Sequence, residues 1–151
     1  MKHQRLLGID YGTRRIGLAT STMGISSPFS VLKNNGEEGN IRAISSIVTA
    51  EKIDGFVLGV PLNAQGQETP MSQSIRKFGQ RLEQLGLPVM YVNEMLSSWE
   101  AEEHIKNNLG ITSPDKVAAL VDKVAASMLL QEYIDNTGDT YGSKNKLPRK
   151  I

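Results

Sequence analysis

The 151-residue chain has no cysteine, which removes disulfides, thiolate metal sites and a cysteine nucleophile together. Histidine is nearly absent as well. His3 and His104 stand alone and far apart, so any metal is expected to be a hard cation held by oxygens. Long apolar runs are missing too: none approaches the ~20 residues that cross a bilayer. The basic opening, Met1 to Arg5, leads into an apolar stretch that breaks at Asp10, unlike a secretory leader. A cytoplasmic protein without membrane contact is expected. The net charge of +1 favours no partner class by itself. Its one local imbalance lies between Thr137 and Ile151, where Lys144, Lys146, Arg149 and Lys150 face only Asp139. The expected organisation is one domain over residues 1–136, large enough for its own core, and a basic, flexible tail over 137–151. That tail is either a solvated terminus or a holder of phosphate backbones.

The patterning predicts an α/β chain. Leu6 to Ile9 and Ile16 to Thr20 read as strands joined by a turn at Tyr11–Arg15, with a third strand over Phe29 to Leu32. Asn34 to Asn40 reads as a loop, after which Ile41, Ile44, Ile47 and Val48 recur at helical spacing. GFVLGV, Gly55 to Val60, is a continuous apolar run ended by Pro61, as in a buried strand. Thr69-Pro70 opens a helix carrying Met71, Ile75, Phe78, Leu82 and Leu85 on one face, and Gly86 stops it. Val89 to Val92 is another buried strand. Ser97 to Glu100 is a capping box before a polar helix, and Ser113-Pro114 begins a last helix reaching about Asp135. Three antiparallel strands followed by alternating helices and strands predict a mixed five-stranded sheet covered on both faces, with the ribonuclease-H-like fold as the economical choice.

Carboxylates then stand out by position. Asp10 ends the first strand and Glu94 ends the last. Asp122 sits within VAALVDKVAASMLLQ, a helix apolar on nearly every side. Strand C-terminal ends gather at one sheet edge, where ligands bind in such folds. A buried carboxylate is costly unless partnered. Asp122 therefore needs either a metal shared with carboxylates at that edge or a partner such as Arg14. Three converging carboxylates suit phosphodiester hydrolysis, in which two Mg²⁺ ions about 3.5–4 Å apart activate water and stabilise the leaving oxygen. Arg14 and Arg15, in the turn after Asp10, suit bidentate phosphate contacts or plain solvated surface. A glycine-containing turn beside Asp10 is expected to let a nucleic-acid backbone approach.

Four segments together resemble one family. GIDYGTRRIGLA, GVPLNAQG, NEMLSSWEA and VDKVAASMLLQEYI look like the signatures of the YqgF/RuvX family, in order, from Leu6 to Ile134. The resemblance implies a ribonuclease-H-like, cytoplasmic nuclease that uses Mg²⁺ or Mn²⁺ and processes the 5′ end of pre-16S rRNA in ribosome biogenesis. A DNA Holliday junction resolvase is the alternative within the family. It implies Asp10, Glu94 and Asp122 as catalytic metal ligands. Arg14, Arg15, Asn63 of the G-x-P-x-N loop, Ser97 and Ser98 are the implied nucleic-acid contacts. Implied partners are pre-rRNA ahead of junction DNA, and ribosomal particles, for a monomer or homodimer. One departure stands out: Asn93-Glu94-Met95 replaces the family's common Asp-Glu-Arg, which removes a carboxylate and an arginine. It keeps open a non-catalytic RNA-binding ribosome-assembly factor. DYGTRRIG also resembles the phosphate loop of actin-like ATPases, but those folds need two such domains, for which 151 residues are too few.

Overall fold

The computed structural model describes residues 4–93, 107, 110 and 113–137. Strands β1 (Leu6–Tyr11), β2 (Arg15–Thr22) and β3 (Ile25–Lys33) come first, then α1 (Glu37–Glu51), β4 (Gly55–Val60), α2 (Pro70–Glu83), β5 (Val89–Asn93) and α3 (Pro114–Asn136). The sheet order is β3-β2-β1-β4-β5. β2 is antiparallel to both β1 and β3, whereas β4 runs parallel to β1 and β5 parallel to β4. The expected mixed five-stranded sheet is present.

Adjacent residues of a strand point to opposite faces, and here both faces are apolar. Leu7, Ile9, Ile16, Leu18, Phe56 and Leu58 pack with Ile41 and Ile44 of α1 and with Ile75, Phe78 and Leu82 of α2. Leu6, Ala19 and Val57, on the other face, pack with Ala126, Leu129, Leu130 and Ile134 of α3. This two-sided burial explains why β1 and β4 read as continuous apolar runs instead of alternating ones.

Two boundaries differ from expectation by more than two residues. β3 starts at Ile25, four residues before Phe29, and runs through Pro28. Proline is tolerated there because β3 is an edge strand, and because the β2–β3 register shifts between Leu18 and Ala19, where Pro28 pairs. α1 begins at Glu37, inside the stretch that reads as loop. Gly36, at φ +90°, turns the chain into it, and Glu37 and Glu38 sit in the first turn, where negative charge favours a helix. α2 begins as expected: the Thr69 hydroxyl accepts from the Ser72 backbone N–H, and the Ser72 hydroxyl accepts from the Thr69 N–H. The polar helix expected from Ser97 and the basic tail beyond Thr137 fall outside the described residues, Asn107 and Gly110 aside.

Candidate active site

Because β1, β4 and β5 are parallel, their C-terminal ends share one edge, and antiparallel β2 brings its start to the same edge. Asp10 lies one residue before the end of β1 and is 9 % exposed. It shares a face with Leu6 and Gly8, the face covered by α3. Across the ladder Asp10 pairs with Gly17 of β2.

Gly17 and Gly8 together seat α3. A β-carbon on Gly17 would stand 2.0 Å from the Asp122 carbonyl oxygen and 3.0 Å from the Asp122 Cβ. One on Gly8 would stand 2.8 Å from the Leu130 Cβ. The helix therefore crosses β1 and β2 in direct backbone contact and runs opposite to β1, which brings Asp122 to the level of Asp10. Gly17 thus serves the close approach of a helix.

Asp122 is less buried than its apolar helix suggests, its side chain being 22 % exposed. Its Oδ2 accepts a hydrogen bond from Arg15 Nε at 2.5 Å. That hydrogen bond, and the carboxylate charge behind it, push the Arg15 pKa further up. An arginine partner for Asp122 was one of the two sequence readings, but the partner is Arg15, not Arg14. Arg15 is the first residue of β2 and shares the face of Gly17 and Ala19, beneath α3; Arg14 is exposed on the turn.

The turn itself is held from a side that sequence reasoning missed. Gly12 N–H donates to the Arg15 carbonyl at 3.0 Å. The Asn34 backbone N–H donates to the Arg14 carbonyl at 2.9 Å, and Asn34 Nδ2 donates to the Gly12 carbonyl at 2.9 Å. Asn34 Oδ1 in turn accepts from Asn40 Nδ2 at 2.9 Å and from the Gly36 N–H at 3.2 Å. Asn40, 1 % exposed, accepts from the Asn35 N–H through its Oδ1 at 3.0 Å. The available signal was two asparagines six positions apart at the head of a helix.

Asn63 has an internal task. Its Oδ1 accepts from the Gln65 and Gln67 N–H groups, each at 2.9 Å, so it shapes the loop between β4 and α2. The loop is tied to α2 by the Ser72 hydroxyl, which donates to the Pro61 carbonyl, and by Arg76, whose Nε donates to Glu68 at 2.7 Å. Glu94, Ser97 and Ser98 lie outside the described residues; Glu94 directly follows Asn93 in sequence.

The structure brings together Asp10, Asp122 and Arg15 at one edge, with Arg14 adjoining. Carboxylate oxygens are the right donors for Mg²⁺ or Mn²⁺. Among the described residues, no three His, Cys, Asp or Glu side chains form a group that could hold a metal. Asp10 and Asp122 fit such an ion as two ligands of a set that needs a third.

The profile of a family described as RuvX, Holliday junction resolvase, matches residues 4–136. A Chloroflexus aurantiacus protein is 33 % identical over 98 % of this chain and 97 % of its own length. One from Endomicrobium trichonymphae is 37 % identical over 89 % of this chain and 98 % of its own. Both are named "Putative pre-16S rRNA nuclease". Among solved structures, T. thermophilus RuvC in complex with a Holliday junction substrate is similar at TM-score 0.55, covering 90 % of this chain and 97 % of that one. Fowlpox virus resolvase with Holliday junction DNA is similar at 0.53, covering 87 % and 97 %. Each is 15 % identical, a likeness of fold, and the fold is the ribonuclease-H-like one of RuvC.

Proposed function

The chain belongs to the RuvX family, and from that premise we propose that it is a divalent-metal-dependent nuclease acting on the pre-16S rRNA for which its relatives are named. The observation that carries the proposal is the meeting of Asp10 and Asp122 across Gly17, beside two arginines. In this reading Asp10, Asp122 and Glu94 hold Mg²⁺ or Mn²⁺ in the two-metal manner. A bound ion would activate water and offset charge on the scissile phosphate.

The chain's own residues do the rest. Asp10 and Asp122 present their oxygens from a strand and a helix locked together by backbone contact, which suits a site that must hold its geometry. Arg14 and Arg15 take the phosphates flanking the cleaved bond. Guanidinium has five N–H donors in a planar fork, and the bond to Asp122 uses only Nε, so Arg15 can serve carboxylate and phosphate together. The Asn63-shaped loop, at the same edge, borders the path of the strand. A protein with this role would work in the cytoplasm, where its rRNA substrate would be.

RNA is preferred over a junction because the sequence relatives at 33–37 % identity carry the rRNA name; the junction reading has the family's description behind it and junction-bound neighbours that share only the fold. The test is cleavage of a transcript spanning the 5′ end of 16S rRNA and of a four-way DNA junction, each with Mg²⁺ and with EDTA. Cleavage of the transcript in Mg²⁺ alone is expected. Cleavage of the junction alone would reassign the substrate. RNA binding without cleavage of either would make the protein a non-catalytic assembly factor.

A further inference from the structure

Outside the carboxylates, Asn34 and Asn40 form a hydrogen-bonded pair of polar side chains. It lies beside the Gly12–Arg14 turn, with Asn34 half-buried and Asn40 buried. Asn40 is buried to 1 % exposure on the face of α1 that also buries Ile41 and Ile44. A polar side chain is kept in such a place only when its hydrogen bonds are made, and here both ends of the amide are used. Its Nδ2 donates to Asn34 Oδ1, and its Oδ1 accepts from the Asn35 N–H. Asn34, oriented this way, holds the carbonyls of Gly12 and Arg14 through its side-chain and backbone N–H groups. The chain of bonds runs from the α1 core to the Gly12–Thr13 and Arg14–Arg15 peptide units.

We propose that Asn40 and Asn34 are positioning residues for nucleic-acid binding, fixing the turn so that Arg14 and Arg15 face the substrate from the edge that carries Asp10. This rests on the nuclease reading. Turn tips of small polar residues ordinarily sample several conformations, and a bidentate arginine contact forfeits binding free energy when its backbone must first be ordered. Tying both flanking carbonyls removes that cost in advance. Neither asparagine touches the scissile phosphate in this scheme, so their effect passes through the arginines.

The test is a double-mutant cycle read as RNA affinity, with the full-length protein and a single-stranded RNA oligonucleotide. Asn34→Ala should weaken binding about 5- to 20-fold, the scale of a coupling between contacting residues, and raise KM while leaving kcat on cleavable transcript nearly unchanged. Asn40→Ala should act in the same direction. If that variant does not fold, Asn34→Ala, with its half-buried side chain, carries the test. In a background of Arg14→Ala with Arg15→Ala, Asn34→Ala should have no further effect on affinity, which a general loss of fold would not reproduce. Unchanged affinity in Asn34→Ala, or losses that simply multiply with those of the arginines, would overturn the inference. A parent protein that binds no RNA overturns both this inference and the nuclease reading; a binding parent with an equally binding Asn34→Ala overturns this one alone.

Discussion

Gly17 of β2 lies so close to Asp122 of α3 that an added β-carbon would meet the Asp122 carbonyl oxygen at 2.0 Å. The contact joins the two halves of the candidate site, because Gly17 is also the ladder partner of Asp10. Its backbone is not in the left-handed region, so space alone demands glycine there. Gly17→Ala should therefore push α3 off the sheet. The expected cost is about 2–3 kcal/mol, as for overpacked cores, or a fall in Tm of roughly 5–10 °C at this chain length. Gly8→Ala meets a side-chain Cβ at 2.8 Å and should cost less. Thermal melts of both variants against the parent decide it, and variants as stable as the parent would refute the seating argument.

Asp10 sits at the end of a buried strand and faces α3. Asp10→Asn is expected to remain folded by circular dichroism and to lose Mg²⁺-dependent cleavage. Removing residues that merely orient metal ligands costs about 10–100-fold, so loss of a direct ligand should exceed that. An Asn variant that cuts normally takes Asp10 out of the site.

Asp122 has two claims on it, the Arg15 guanidinium and a metal. The pair is partly solvated, with side chains 46 % and 22 % exposed, and such pairs contribute ~0–1 kcal/mol. In EDTA, Asp122→Asn should therefore be only slightly less stable than the parent. Mg²⁺ should raise the Tm of the parent through preferential binding to the folded state, and raise that of Asp122→Asn less. Arg15→Ala, which frees the carboxylate from its competitor, should bind Mg²⁺ more tightly by calorimetry. A melting temperature indifferent to Mg²⁺ in all three proteins would leave Asp122 as a structural ion-pair residue.

The loop after β4 should carry an acid dependence. The Arg76 hydrogen bond, with the guanidinium charge, holds the Glu68 carboxyl below its ordinary value of 4.5. A group depressed in the folded state adds stability above its unfolded pKa and loses it as pH falls through the folded one. The parent should thus be more stable than Glu68→Gln near neutrality, and the gap should close below about pH 4.5. Parallel stability curves from pH 7 down to pH 3 would show that the pair does not hold the loop.

The sequence by itself determined the elements and their order. Apolar runs bounded by proline and glycine marked β4 and β5, Thr69-Pro70 marked the start of α2, and helical spacing placed Ile75, Phe78 and Leu82 in the core. These signals are local, carried by residues within a few positions of one another. The same is true of Asp10, whose place at a strand end is readable from the run before it. Tertiary structure alone decided what those residues meet. Arg15 and Asp122 are 107 positions apart, and which of two adjacent arginines reaches the aspartate depends on which face of β2 lies beneath α3. Gly17 read only as part of the second strand in sequence, yet it is a helix seat, because its constraint comes from a backbone that arrives a hundred residues later. Asn34 and Asn40 read as loop residues, since polar side chains near glycines usually are. Only the docking of α1 on the sheet buries Asn40, and a buried amide must find hydrogen-bond partners; here they are Asn34 and Asn35, and Asn34 in turn holds the turn that carries the arginines.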